Sequence, residues 1–187
     1  MLIHRAGLQA GESVLVVGSG GGVNSMAIQI AKLAGAFVLV VAGTPDKAEK
    51  AKALGADVVV DRSRADWVRE VLKLTGKRGV DAVVDNVGST FPLSLRALRK
   101  GGRLLTVGNT GGPKIEIDNR YIFGKQLSIL GSTMGTRADF AEVMALVFSG
   151  TLQPVIDRSY ALEDTRQAHE RLETGRQMGK IVLDIAA

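Results

Sequence analysis

A glycine cluster that directly follows a β-branched run is the part of this sequence best suited to chemistry. The run covers residues 14–17, and the cluster contains Gly18, Gly20, Gly21 and Gly22. The pattern then changes from a strand-like to a helical period, which predicts a strand, a tight turn and the N-terminus of a helix. The free N–H groups and positive dipole end of such a helix can bind the pyrophosphate of a dinucleotide. Glycine suits the turn because a Cβ would hold the phosphates away from the backbone.

The spacing in this turn departs from the G-x-G-x-x-G pattern of dinucleotide-binding proteins. Gly18 and Gly21 leave Asn24 in the third position, where glycine usually permits close packing of the helix on the strand. Asn24 therefore predicts a slightly wider crossing or a polar contact. We assign Val23 and Asn24 to the same binding turn. A flavin site, an S-adenosylmethionine site or a plain turn would also fit the local pattern.

Composition indicates one large domain, or one domain with an appendage, in a chain of 187 residues. A hydrophobic content of 45% with 23% charged residues is typical of a globular protein with a substantial core. Cysteine is absent, which excludes disulfides and cysteine-ligated metal sites, and the two histidines argue against a zinc site built from this chain. We therefore expect no metal here.

The net charge of +5 does not by itself predict a nucleic-acid partner. Basic residues alternate with acids along segments 47–52 and 62–70, and no basic block with interleaved aromatic residues occurs. We therefore expect a mixed, solvated surface and no nucleic-acid binding. No apolar run approaches membrane-spanning length, so we expect no membrane association and a cytoplasmic location.

Strand-like and helical patterns alternate along the chain and must position the glycine turn. The strand-like runs cover residues 14–17, 37–41, 58–60, 81–84, 103–107 and 127–130. The helical patterns between them cover residues 23–33, 46–54, 65–74 and 89–98. This order predicts an α/β fold with a doubly wound, six-stranded parallel sheet, the Rossmann architecture, and a ligand crevice at the carboxyl ends of the strands.

The end of the chain does not extend this alternation. A helix is predicted at 138–148 and a short one near 163–172, with strand-like runs around the second. We therefore divide the chain into a dinucleotide-binding domain, residues 1–150, and a short C-terminal α+β appendage, residues 151–187. The strands of the appendage look suited to packing on a surface outside the sheet.

Many phrases of this sequence resemble, in the same order, the cofactor half of the medium-chain dehydrogenase/reductase superfamily, which includes zinc-type alcohol dehydrogenases and quinone reductases. Besides the glycine turn, the phrases cover residues 4–16, 27–36, 52–57, 79–88, 101–104, 127–132 and 179–183. Full-length members begin with a separate catalytic domain that carries the substrate pocket and, where present, the zinc ligands. The resemblance implies that this chain begins at the linker and that residues 151–187 would pack on that absent domain.

The end of the second strand predicts which dinucleotide binds. In members that prefer NAD, an acid there bonds both ribose hydroxyls. Here that position is Ala42, followed by Gly43 and Thr44, and no acid would repel a 2′-phosphate. Lys47 or Arg62 could supply a cation. We therefore predict NADP(H) in preference to NAD(H), with NAD still possible.

Two alternatives remain open at this end of the site. Lys47 and Arg62 would contact no ligand if both are ordinary solvated surface residues. A turned Asp46 side chain could reach the ribose and favour NAD.

The resemblance also implies where the nicotinamide end lies. Three strand tips would line the ribose and ring or present backbone groups to the carboxamide. They contain Asn86, Val87 and Gly88, then Val107, Gly108 and Asn109, and last Leu130, Gly131 and Ser132. Without the resemblance, the glycines among them would be interpreted as turn residues.

Other residues with chemical potential have simpler interpretations. Tyr121 and Lys125 share the Tyr-x-x-x-Lys spacing of short-chain dehydrogenases, whose chemistry needs a helix. Gly124 interrupts the segment, so we predict no helix there and interpret the spacing as coincidence. His4 and His169 are predicted to be surface or packing residues. Two further buried positions have structural interpretations, with Asp85 bonding backbone amides and Trp67 packing a helix on the sheet.

The resemblance implies an oxidoreductase domain that, joined to a substrate domain, moves a hydride to or from a carbonyl, quinone or activated alkene. No residue of this chain is assigned as acid or base. The alternative is a non-catalytic module for dinucleotide sensing or subunit interaction, and a methyltransferase is more distant. The predicted sixth strand, residues 127–130, should form an exposed sheet edge, and we expect a homodimer across it.

Overall fold

The computed structural model of the chain describes residues 1–63 and 66–185, so the predicted helical positions at residue 65 and the last two residues lie outside the described ranges. Eight strands are assigned in chain order: β1 Ser13–Val17, β2 Phe37–Ala42, β3 Val58–Asp61, β4 Val80–Val84, β5 Leu98–Thr106, β6 Ser128–Gly131, β7 Ile156–Ala161 and β8 Lys180–Asp184. The helices are α1 Gly22–Leu33, α2 Pro45–Ala53, α3 Trp67–Leu74, α4 Phe91–Ala97, α5 Asn119–Lys125, α6 Arg137–Phe148 and α7 Thr165–Glu173, with a short 3-10 turn at Leu162–Asp164.

The first six strands form one sheet in the order β3-β2-β1-β4-β5-β6, and every pair is parallel. This confirms the predicted doubly wound Rossmann sheet. The direction of strand order reverses between β1 and β4, and the crevice of such a sheet opens at this switch point. The sixth strand lies at the edge of the sheet, as predicted.

Apolar side chains cover both faces of the sheet, which explains its run of valines and leucines. On one face, β1 and β2 pack against α1 through Ala27, Ile28 and Ala31. On the other, α3 contributes Trp67 and α4 contributes Leu95. The predicted packing role of Trp67 is therefore confirmed, since its side chain is buried in this second cluster.

The structure corrects the sequence prediction most clearly at α5. Gly124 was expected to prevent a helix, yet Asn119–Lys125 is helical. Asp118 caps the N-terminus by accepting a hydrogen bond from Arg120 N, and Gln126 ends the helix in a left-handed conformation. Tyr121 and Ile122 pack partly buried against the core, so tertiary contact outweighs the cost of one glycine.

The C-terminal appendage contains a helix and two strands, as predicted, and its strands β7 and β8 pair in parallel in a separate small sheet. It is attached to the main domain beside the glycine turn. Gly179 N donates to Gly20 O at 2.8 Å, and the side-chain amide of Gln29 exchanges two hydrogen bonds of 2.9 Å with the backbone of Gln153. Packing of the appendage on a further domain stays a prediction.

Candidate functional site

The glycine turn lies where the sequence predicts, between the end of β1 and the start of α1. Gly18 has a φ of 84°, which a residue with a Cβ rarely adopts. Gly21 is the N-cap of α1, where no side chain forms a capping hydrogen bond and the first turn holds no acid. The helix N-terminus therefore presents its N–H groups and its positive dipole end towards an anion.

Two lysines approach this turn from distant parts of the chain. A Cβ at Gly20 would lie 2.9 Å from Lys47 Nζ, and a Cβ at Gly22 would overlap the Lys180 side chain. Sequence analysis assigned Lys47 to the site but missed Lys180, although Lys180 belongs to a phrase that carried the family resemblance. The missing information was spatial, because β8 approaches α1 only in the folded chain.

Lys47 and Arg62 meet at the end of β2, as their assignment to one subsite requires. A Cβ at Gly43 would lie 3.0 Å from Arg62 Nε. Lys47 Nζ donates to Gly175 O at 2.7 Å. Burial lowers the pKa of Lys47, and the neighbouring charge of Arg62 lowers it further. The two cations therefore reinforce one positive region beside the turn.

The residues around Ala42 arrange this end of the site. Ala42 is buried, and Thr44 caps α2 by accepting a hydrogen bond from Lys47 N at 3.3 Å. In the parallel pairing of β2 with β3, Ala42 is opposite Asp61, whose carboxylate accepts two hydrogen bonds from Ser63. An acid therefore ends the neighbouring strand rather than β2 itself.

Asn24 makes the polar contact that its place in the glycine turn predicts. Its side chain is 8% exposed, and Nδ2 donates to Val17 O and Gly18 O, both at 2.9 Å. Asn86 Nδ2 donates to Asn24 Oδ1 at 3.0 Å, and Val107 N donates to Asn86 Oδ1 at 2.8 Å. Hydrogen bonds thus connect the ends of β1, β4 and β5.

Asp85 organises the turn that follows β4. Its fully buried carboxylate accepts hydrogen bonds from Val87 N at 2.9 Å, and from the hydroxyls of Thr90 and Ser94, both at 2.6 Å. Gly88 N makes a longer contact of 3.4 Å with the same carboxylate. The expectation that Asp85 bonds backbone amides is confirmed.

The loop after β5 folds over the tip of β4. Thr110 N donates to Asn86 O at 3.1 Å, and Gly111 N donates to Val87 O at 2.7 Å. Gly88 takes a φ of 90° in this turn. The predicted residues Gly108 and Asn109 stand at the start of this loop, at the same sheet edge as the glycine turn.

The third predicted tip, at the end of β6, already uses two of its backbone groups within the protein. Ser132 N donates to Thr106 O at 3.0 Å, and Arg5 Nε donates to Gly131 O at 3.2 Å. Leu130 packs partly buried against the core. A ligand at this tip would therefore meet a backbone that is already held in place.

Lys125 is not paired with Tyr121, although both belong to α5. Lys125 Nζ donates to Arg96 O at 2.9 Å and to Leu98 O at 2.8 Å, where α4 ends. Burial lowers the pKa of Lys125, with a smaller contribution from Arg96. The lysine therefore caps α4, and the interpretation of the Tyr-x-x-x-Lys spacing as a coincidence stays a prediction.

The two histidines lie at the surface, as predicted, and His4 Nδ1 is 2.9 Å from Asp139 Oδ1. Within residues 1–63 and 66–185, no group of three or more His, Cys, Asp or Glu side chains is placed to hold a metal ion. In the part of the chain that the structure describes, no helix is long and apolar enough to cross a membrane.

Comparison with known proteins assigns the chain to a family. Residues 22–149 match the family model described as zinc-binding dehydrogenase. The quinone oxidoreductase of Homo sapiens is 36% identical over 97% of this chain and 57% of its own length. The crystal structure of an NAD-dependent alcohol dehydrogenase shares 41% identity with a TM-score of 0.95, over 100% of this chain and 55% of that one.

A third relative was solved with ligands bound. The structure of a 2-octenoyl-CoA carboxylase reductase in complex with NADP and 2-octenoyl-CoA has a TM-score of 0.90 and 28% identity, over 98% of this chain and 45% of that one. The chain thus spans about half the length of the relatives it matches. It belongs to the zinc-binding dehydrogenase family, within the medium-chain dehydrogenase/reductase superfamily that its sequence resembles.

Proposed function

We propose that this chain is the cofactor-binding part of an oxidoreductase and binds a nicotinamide dinucleotide, NADP(H) in preference to NAD(H). One observation carries the proposal: the uncapped N-terminus of α1 stands beside Lys47 and Lys180 at the switch point of the sheet. A diphosphate satisfies the N–H groups and neutralises the cations at the same time. The sheet edge beyond β4 and β5 then accommodates the rest of the molecule.

Each part of the site has a separate task in this proposal. The backbone of the glycine turn and Lys180 hold the pyrophosphate. Ala42, Gly43 and Thr44 leave space for the adenosine ribose, and the tips of β4, β5 and β6 orient the nicotinamide. The bound dinucleotide supplies the hydride, and the protein determines the position and face of the ring.

The preference for NADP(H) rests on charge at the end of β2. Arg62 and Lys47 lie beside Gly43 and Gly20, and a 2′-phosphate would meet two cations there. Two observations favour NAD(H) instead: Asp61 ends the adjacent strand, and one close structural relative is an NAD-dependent enzyme. We weigh the cations more heavily because Asp61 already accepts hydrogen bonds from Ser63.

The family name implies zinc, but the described residues of this chain do not fit that ion. The whole sequence contains no cysteine, and the described side chains form no cluster of ligands. No step of the proposed function therefore passes through a metal in this chain.

We also propose that a separate catalytic domain completes the enzyme. Large apolar side chains stand exposed on α6 and the appendage, including Phe140 at 68%, Phe148 at 83% and Ile185 at 78%. Exposed apolar residues of this size are typical of a surface that packs on another domain. With that domain, hydride transfer would act on a carbonyl, quinone or enone. The alternative is a non-catalytic module that only senses the dinucleotide.

Parallel calorimetric titrations of the purified chain with NADPH and NADH test the proposal. We expect both to bind, with NADPH binding more tightly. Absence of binding by either would overturn the proposed site, whereas equal affinities would overturn only the preference. A panel of aldehydes, quinones and enones then separates enzyme from module, since the module predicts tight binding without turnover.

A further inference from the structure

We propose that Asn24 and Asn86 are positioning residues that hold the two sides of the cofactor crevice at a fixed separation. The inference rests on the proposed function, because it assigns these side chains a task in binding a dinucleotide that spans both sides. Neither residue is given a part in the transfer of hydride.

The placement of the two side chains supports this task. Asn24 lies in the first turn of α1, after β1, and Asn86 follows β4. Strands β1 and β4 are neighbours at the point where strand order reverses. The 3.0 Å hydrogen bond from Asn86 Nδ2 to Asn24 Oδ1 therefore crosses the switch point itself, between residues 62 positions apart in the chain.

The amide group suits this position because it donates and accepts at once. Asn24 donates to the carbonyls of Val17 and Gly18 while accepting from Asn86. Asn86 in turn accepts from Val107 N while donating to Asn24. All the bonds thus point from the end of β5 towards the end of β1, and such chains of hydrogen bonds strengthen one another. An aspartate would lose the donor, and a glycine would lose the connection.

The direction of this relay has a consequence for binding. The glycine turn holds the diphosphate side, while Asn86 and Val107 stand on the side proposed for the nicotinamide. A whole dinucleotide must contact both sides, so its affinity depends on their separation. The fragment 2′,5′-ADP needs the turn and the end of β2 but not the tips of β4 and β5. Loss of the relay should therefore weaken NADPH more than 2′,5′-ADP.

A double-mutant cycle on the whole chain tests this inference by calorimetry. We expect Asn24→Gly and Asn86→Ala each to raise the Kd for NADPH about 10-fold, and the double variant to raise it about 10-fold as well. Asn86→Ala should change the Kd for 2′,5′-ADP less than about 2-fold. Independent contacts would instead multiply to about 100-fold, which would overturn the relay. Asn119→Ala, an exposed asparagine on α5, is the matched control.

A measurement without ligand separates this proposal from the proposed function. Asn24→Gly should accelerate hydrogen exchange at the Val107 amide about 10-fold, because its acceptor Asn86 loses its own anchor. An unchanged exchange rate overturns the relay, whatever binds. Failure of wild-type protein to bind NADPH, with exchange altered as expected, overturns the proposed function alone. If Asn86→Ala does not fold, Asn86→Ser, which is too short to reach Asn24, takes its place in the cycle.

Discussion

Lys47 Nζ donates a hydrogen bond of 2.7 Å to the backbone carbonyl of Gly175, which lies 128 residues later in the chain. The contact ties the first turn of α2 to the loop before β8. The same loop reaches the glycine turn, since Gln177 O would lie 3.1 Å from a Cβ on Gly20. The appendage is therefore part of the wall of the candidate site.

The positive region at the end of β2 predicts the cofactor preference of single variants. Arg62→Gln should weaken NADPH about 10-fold and leave NADH within about 2-fold, because the lost partner of the 2′-phosphate is worth about 1.4 kcal/mol. Calorimetric titration of both dinucleotides measures the ratio. Lys52→Gln removes an exposed charge elsewhere on α2 and should change neither affinity. Equal losses for both dinucleotides would contradict a role in selecting the 2′-phosphate.

A buried charge cluster at the opposite end of the sheet predicts an acid-sensitive stability. Burial alone would raise the pKa of Asp81, but hydrogen bonds from Arg78, Ser13 and Arg99 hold that pKa well below its usual range. Because the folded state lowers this pKa, the carboxylate stabilises the protein fully above the unfolded pKa of about 4, and this contribution is lost as pH falls below it.

Urea unfolding at pH 7 and pH 3 measures this effect. Asp81→Asn should lower the free energy of unfolding by about 3 kcal/mol at pH 7, because it leaves Arg78 and Arg99 without their buried partner. The difference between variant and wild type should shrink at pH 3. A difference of the same size at both pH values would contradict the assignment of the acid sensitivity to Asp81.

Gly179 should be the least replaceable glycine of the appendage. Its φ is 98°, and a Cβ there would overlap the backbone carbonyl of Val155. Gly179→Ala should therefore cost about 3 kcal/mol of stability and expose residues after 150 to limited proteolysis. Gly175→Ala is the matched control, because Gly175 also has a positive φ, of 64°, but open space around its Cα. The control should cost about 1 kcal/mol, and equal effects would rule out the predicted clash.

The exposed edge of the sheet predicts the oligomeric state. Ile129, in the centre of β6, is 38% exposed, and β6 has a neighbour on one side only in the described sheet. We expect a homodimer by light scattering, and Ile129→Lys should convert it to a monomer by placing a charge at the pairing edge. Ile185→Lys, an equally apolar position in the appendage, should leave the dimer intact. A monomeric mass for the wild-type chain would refute the predicted interface.

Local sequence patterns determined the elements of this fold and the place of its turn. The β-branched runs, the helical periods and the glycine cluster act over neighbouring residues, so β1 to β4 and α1 to α4 lie within a few residues of their predicted bounds. The strand order followed from the handedness of parallel connections. Polar positions at strand ends, such as Asn24 and Asp85, could be identified as bonding residues without their partners.

Only the tertiary structure decided which distant residues meet. Helix α5 forms because Asp118 caps it and the core receives Tyr121, neither of which a short segment with a glycine reveals. Lys180 reaches Gly22, and Asn24 reaches Asn86, through contacts that depend on how strands pair rather than on periodicity. A local pattern specifies backbone conformation, whereas the sites between strands arise from the packing of whole elements, which brings together residues that the chain separates.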